Sequence, residues 1–264
     1  MNLYDLFRMA ESKQVQSVAR ALDLLELVAS GGDEIALTQL ARQAGLQPPT
    51  AHRLVQTLVE KEWVVQNPRT SRYRLSHKLL SLVGDIEART ARLRAISRPH
   101  LESIRDASDE STNLVVLDGL AAVYVDQVPS SQPIRMFTEI GGRVPAYASG
   151  AGKAMLAHQA PGVTRALLTG ADLRPLTSHT ITDSDALEDE LAVSRDRGYA
   201  FDNEEYQTGV LCVAAAILAE DATAVGAISV SGPAARMRAL DPDALGGRLA
   251  DHARAISREL GYSG

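Results

Sequence analysis

The sequence has 264 residues, 45% of them apolar and 23% charged, the balance of a water-soluble globular protein large enough for one big domain or two modest ones. Its apolar runs, such as Val213 to Ala219, fall far short of the roughly 18–20 residues a bilayer-spanning helix needs. The opening "MNLYDLFRMAESK" has no basic stretch ahead of an apolar core, so no signal peptide is expected. The single cysteine, Cys212, excludes an intrachain disulfide and fits a reducing compartment, which makes the cytoplasm the expected location.

The net charge of −6 is unevenly spread: residues 1–79 hold ten Lys/Arg against eight Asp/Glu, leaving seventeen against twenty-five for the rest. From Trp63 to Gly84 there is no acid at all, while Arg69, Arg72, Arg74 and Lys78 fall in that run. A small basic module therefore precedes a larger acidic body.

"VQSVARALDLLELVAS" (Val15–Ser30) reads as an amphipathic helix with Val18, Ala21, Leu22, Leu25 and Val28 on its apolar stripe and Gly31-Gly32 as its stop. A second helix follows in "LTQLARQAGL", with Thr38 as the expected cap and Gly45 at the turn. Pro48 and Pro49 suit the first turn of a third helix, where a missing N–H costs little. On that helix Ala51, Leu54, Val55, Leu58 and Val59 form one stripe, and Thr50, His52, Arg53, Gln56, Thr57 and Glu60 spread over the opposite side. Two helices joined by a short Gly-containing turn, the second with a polar outer face, make a helix-turn-helix pattern. "WVVQNPRTSRYRL" then alternates around the turn-forming Asn67-Pro68-Arg69-Thr70-Ser71, which predicts a β-hairpin wing. His52, beside the apolar stripe, fits a satisfied boundary histidine as well as a base reader.

Two helices are expected over "LSHKLLSLVGDIEARTARLRAISRPHLESIRDAS", broken near Ser97-Arg98-Pro99 because the residue before proline disfavours the α conformation. Strand-like runs follow in "NLVVLD", "AAVYVDQV", "IRMF", "VLCVAAAIL" and "AVGAISVSG", with hairpin turns at Asp118-Gly119 and Glu220-Asp221. Helices are expected at Gly152–His158, Val163–Leu168, Ser184–Arg197 and Pro242–Leu260. Hairpin-grouped strands with helices between the groups predict an α+β domain on an antiparallel sheet. The expected organisation is an N-terminal arm (1–12), a winged helix-turn-helix (13–78), a linker helix (79–97) and a C-terminal domain (98–264).

"AYASGAGKAMLA" (Ala146–Ala157) looks at first like a phosphate-binding loop. That motif needs glycine at 147 and Ser/Thr at 154, where Tyr147 and Ala154 stand, so the turn glycine and the magnesium-binding hydroxyl are both missing. Small residues at a helix start nevertheless suit an anion, since unpaired N–H groups and the helix dipole favour negative charge. Read on the residues alone, Cys212 is either a pocket wall or a small buried hydrophobe. Ser229 and Ser231, on one strand face by period two, either line a pocket or are solvated. Asp202 heads the acidic cluster "FDNEEY", which has the composition of a solvated run, and Lys153 is expected in solvent or on a helix carbonyl. The six histidines are scattered without metal-ligand spacing, so neither a metal nor another cofactor is expected, and no base stands at nucleophile spacing.

The run "AHRLVQTLVEKEWVVQNPRTSRYRLSHKLLSL" resembles the winged helix-turn-helix of the IclR family of bacterial transcriptional regulators. "RPHLESIRDASDESTNLVVLDG", "GGRVPAYASGAGKAMLA", "TITDSDALEDELAVSRDRGYAFDNEEYQTGVLCVAAAI" and "AISVSGPAAR" resemble that family's effector domain, in order, so that the likeness covers about residues 15–262. The resemblance implies a GAF-like sensor domain. It also implies a ligand-responsive, non-enzymatic DNA-binding regulator that assembles as a dimer or dimer of dimers on a pseudo-palindromic operator. Thr50, Arg53 and Gln56, with His52 and Thr57, would face base edges, and Arg69 and Arg72 would meet phosphate or minor groove. A small organic acid would sit on the backbone at Ser149, Gly150 and Ala151, among Asp202, Cys212, Ser229 and Ser231. Where the family commonly has Cys-Thr-Ala-Leu before Gly-Lys, this chain has Ala148, Ser149, Gly150 and Ala151, which predicts a roomier pocket and a bulkier acid. Two rival readings are an enzyme acting on a small acid and a DNA binder whose C-terminal domain only oligomerises.

Overall fold

The computed structural model describes residues 15–264, so the expected N-terminal arm (1–12) lies outside the described residues. The described residues divide into two compact units, 15–88 and 89–264.

In the first unit, α1 (Gln16–Ser30), α2 (Leu37–Gln43) and α3 (Pro48–Glu60) pack around Leu24, Val28, Ile35, Leu40, Val55, Leu58, Val64 and Tyr73. Gly45, with φ +62, makes the left-handed turn between α2 and α3 that other residues avoid. Strands β1 (Val64–Gln66) and β2 (Tyr73–Leu75) pair antiparallel as the wing.

Two expectations change here. Leu24 and Val28 are the buried line of α1, whereas Val18 and Leu22 are 57% and 54% exposed. The helix carries enough apolar residues for two stripes, and the core takes only one of them. Thr38 lies inside the first turn of α2, whose flanking residue is Ala36, so it caps nothing.

The expected break at Ser97-Arg98-Pro99 is absent: α4 runs unbroken from Leu79 to Ser108 with Pro99 inside. Leu93, Ser97, Leu101, Ile104 and Ser108 recur at helical spacing and are all buried, so packing of that stripe offsets the ~3 kcal/mol that an interior proline costs.

The second unit is an α+β, GAF-like domain on a six-stranded sheet in the order β5-β4-β3-β8-β7-β6, antiparallel at every pairing. The strands are β3 (Ser111–Asp118), β4 (Ala121–Val128), β5 (Arg143–Pro145), β6 (Ala200–Asn203), β7 (Val210–Leu218) and β8 (Ala224–Pro233). Its helices are α5 (Gly150–Ala157), α6 (Val163–Leu168), α7 (Ser184–Arg197), α8 (Ala234–Ala239) and α9 (Pro242–Glu259).

One sheet face packs Leu114, Val213, Ile217, Ile228 and Val230 against α9 and the C-terminal part of α4. The other packs Val115, Ala122, Ala214 and Ala227 against α5 and α7. Small side chains there let α5 approach the sheet, and the turn ahead of α5 folds back onto it: a Cβ on Gly152 would lie 2.3 Å from Ala146 Cα and O, so only glycine fits.

"IRMF" forms no strand. It belongs to the loop between β4 and β5, where Met136 O accepts from the Ser111 hydroxyl and Ile134 O from Arg236 Nη2 instead of joining a ladder. β5, β6 and α8 are short elements that periodicity did not reveal. Among the described residues no helix is long and apolar enough to cross a membrane.

Candidate functional site

On α3, Ala51, Val55 and Leu58 are buried. His52, Arg53 and Thr57 are exposed, and Thr50 and Gln56 half-buried. The Thr57 hydroxyl donates to Arg53 O at 3.0 Å, so it meets an outside group as an acceptor.

Arg69 and Arg72 are exposed at the wing. Its tip is held by an acid that pattern reading missed: Glu34 accepts from Asn67 Nδ2 at 2.5 Å and from Thr70 Oγ1 at 2.8 Å. Those two hydrogen bonds hold the Glu34 carboxyl below the usual carboxylate range. Asn67 Oδ1 accepts in turn from Arg69 N, and Ser71 takes the left-handed conformation that closes the turn. Lys78 is directed elsewhere, donating to Lys61 O just past the C-terminal end of α3.

In the second unit a cavity of about 340 Å³ opens beside the start of α5. Ser149, Ala151, Asp202, Cys212, Ser229 and Ser231 line it. Gly150 does not. It fills the gap between α5 and the sheet, where a Cβ would meet Cys212 O at 3.2 Å and Asp202 N at 3.3 Å. Ala148 is fully buried outside the wall as well, so of the four small residues only Ser149 and Ala151 shape the cavity. Val115, Tyr124, Val144 and Val210 supply apolar wall, and Met136, Phe137, Thr138 and Glu139 of the β4–β5 loop border the opening.

Ser149 caps α5, its Oγ accepting from Gly152 N at 3.1 Å. Asp202 is buried rather than solvated: its Oδ1 accepts from Glu205 N at 2.7 Å and Tyr206 N at 3.2 Å, turning the chain after β6. Burial outweighs those bonds and pushes its carboxyl up to about 6. Burial likewise pushes the Cys212 thiol up to about 12, so at neutral pH it is a wall and not a nucleophile.

Lys153 overturns its expectation most fully. It is 1% exposed, with Nζ 2.6 Å from Glu205 Oε1 and 4.0 Å from Glu190 Oε1, which also takes Arg197 Nη2 at 3.0 Å. This ion network ties α5 to α7 and to the segment carrying Tyr206 and Gln207 of the cavity wall. Arg143 is the cavity's lining cation, and it is paired with Asp118 at 2.7 Å.

Among the described residues no group of three or more His, Cys, Asp or Glu is placed to hold a metal. The cavity therefore offers hydroxyls, the carboxyls of Asp202 and Glu139 and a helix start, a set suited to binding a small polar molecule.

Residues 87–258 match the family described as "Bacterial transcriptional regulator IclR C-terminal", and residues 17–68 match the IclR helix-turn-helix domain. The chain is 37% identical to the acetate operon repressor of Salmonella typhimurium, over 95% of this chain and 91% of that protein. Its fold is similar to the crystal structure of the Thermotoga maritima IclR, with a TM-score of 0.73 and 29% identity over 94% of this chain and 99% of that one. It is also similar to an IclR homolog from Microbacterium hydrocarbonoxydans complexed with 4-hydroxybenzoate, with a TM-score of 0.73 and 25% identity over 92% and 98% of the two chains. With both modules matched, the chain belongs to the IclR family: it is a DNA-binding transcriptional regulator, not an enzyme.

Proposed function

We propose that this regulator is a cytoplasmic repressor of a catabolic operon, released from or retuned on its operator by a small organic acid bound in the 340 Å³ cavity. The observation that carries this reading is the cavity's composition: Ser149, Asp202, Ser229 and Ser231, all nine-tenths or more buried, face a space large enough for a ligand. The acid's carboxylate would meet the start of α5 and the serine hydroxyls. The volume exceeds what a two- or three-carbon acid needs, and the Microbacterium relative's 4-hydroxybenzoate complex supports an acid of ring size.

A homodimer supplies the second DNA-reading helix. Its support is the exposed apolar surface of the first unit, Val15, Val18 and Leu22 along α1 and Leu80, Leu82 and Val83 at the start of α4. Thr50, His52, Arg53, Gln56 and Thr57 would face base edges in the major groove, and Arg69 and Arg72 the phosphates or minor groove. A useful switch requires the acid to favour one state by about 10–100-fold, roughly 1.4–2.7 kcal/mol.

The test is a thermal-shift screen of aliphatic and aromatic acids, followed by mobility shift on the DNA upstream of the regulated operon. An acid that raises the melting temperature and changes DNA affinity supports the reading. Stabilisation by no carboxylate contradicts it.

A further inference from the structure

Behind the cavity wall lies a fully buried amide that no ligand would touch. Asn113 sits in β3 directly opposite Ser229 of β8 and Gln127 of β4, so one row of polar side chains crosses three strands. All four hydrogen-bonding positions of its amide are used. Nδ2 donates to Ser229 Oγ and to Ser231 Oγ, each at 3.2 Å. Oδ1 accepts from Gln127 Nε2 at 2.9 Å and from Thr138 Oγ1 at 3.1 Å. Gln127 Nε2 also donates to Thr138 Oγ1 at 2.6 Å. Thr138 belongs to the loop bordering the cavity, and beside it Phe137 is 69% exposed.

The chemistry of a serine hydroxyl gives this row a direction. Oγ has one hydrogen and two lone pairs, and the Asn113 amide occupies a lone pair on each serine. The hydrogens are then left for the cavity side, where a carboxylate supplies acceptors and where Ser229 faces the Cys212 thiol. The same amide's oxygen holds Thr138, so the orientation that makes the serines donors also tethers the loop.

We infer that Asn113 is a positioning residue: it commits the Ser229 and Ser231 hydroxyls to donate to a bound acid, and through Gln127 and Thr138 it couples that commitment to the loop over the cavity. The first half rests on the acid-sensing reading above; the tether to the loop does not.

The test uses Asn113→Asp, nearly isosteric and unable to donate when ionised, and Gln127→Met, which removes the donor shared by Asn113 and Thr138 from outside the cavity. In the ligand-free, full-length protein, amide hydrogen exchange across residues 134–140 should rise in Gln127→Met and stay near wild type in Asn113→Asp, whose carboxylate keeps the acceptor for Thr138, while that of β7 and β8 stays protected in both. With 4-hydroxybenzoate and pyruvate as probes, Asn113→Asp should weaken whichever binds the wild type by about tenfold or more. In a Ser229→Ala/Ser231→Ala background the same substitution should change affinity by less than about threefold, because the groups it acts through are gone.

Unchanged loop exchange in Gln127→Met overturns the tether. Unchanged affinity in Asn113→Asp, or an equal loss with and without the serines, overturns the donor role. If Asn113→Asp does not fold, Gln127→Met still decides the tether, since Gln127 is half-buried and lines no part of the cavity, and Asn113→Leu, which also lacks the amide donor, takes the affinity comparison. A wild-type protein that binds neither probe, nor any acid of the wider screen, contradicts the acid-sensing reading, and the exchange measurement still decides the tether.

Discussion

Strands β7 and β8 turn Val213, Ala215, Ile217, Ile228 and Val230 to one side of the sheet, and Cys212, Ala214, Ala216, Ala227, Ser229 and Ser231 to the other. The first face is branched and apolar and closes under α9 and α4. The second is small and partly polar, lets α5 approach, and leaves a cavity. Alternation along the same two strands therefore separates holding the domain together from lining the cavity. Substitutions one residue apart should fail in different ways.

The largest effect should come from the ion network under the cavity face. Lys153→Met leaves Glu205 buried without its cation and should lower unfolding free energy by about 3–5 kcal/mol, measured by urea denaturation. A loss below about 1 kcal/mol would place that pair among weak surface bridges instead.

Next, Ile228→Ala should destabilise by about 2–5 kcal/mol through the cavity it opens, with affinity for a cavity-bound acid unchanged in the folded fraction. Its neighbour Ser229→Ala should cost roughly 1 kcal/mol of stability while lowering acid affinity. Equal stability losses at 228 and 229 would break the division between the faces.

Asp202 sharpens the comparison through pH. Its folded carboxyl titrates near 6, above the roughly 3.8–3.9 of an unfolded aspartate, so the folded state holds the extra proton between those values. Burying the ionised form is a penalty absent below about pH 4 and complete above about 6. Wild type should therefore lose up to roughly 3 kcal/mol relative to Asp202→Asn as pH rises across that window. Acid binding beside Asp202 should weaken over the same range. Parallel pH–stability curves for the two proteins would contradict the burial argument.

In the first unit the expected effects fall on DNA binding and leave stability nearly unchanged. Arg53→Ala should weaken operator binding by about 1–3 kcal/mol and shift sequence preference. Arg69→Ala should weaken binding to all DNA and flatten its salt dependence. Fluorescence anisotropy on specific and random duplexes separates the two roles.

The parts legible in the sequence are those set by local rules. Pro48-Pro49 and the Ala51/Val55/Leu58 spacing disclosed α3, and Asn67 to Ser71 disclosed the wing turn. Period two placed Ser229 and Ser231 on one face. What local rules missed was decided by partners distant in the chain. Lys153 is buried because Glu205 comes to it, Glu34 matters because the wing folds onto it, and Pro99 stays helical because the sheet covers its neighbours. The "IRMF" run has strand composition, but its Met136 and Ile134 carbonyls are taken by the Ser111 and Arg236 side chains, both distant in the chain. On α1 two apolar stripes competed, and periodicity alone could not rank Leu24 above Leu22.

The most direct measurement is operator binding by wild type and Ser229→Ala/Ser231→Ala, with and without an acid that stabilises the wild type. The account predicts equal operator affinity without acid, a change of about tenfold or more on adding acid to wild type, and little response in the double variant. A double variant that responds to the acid as wild type does would contradict it.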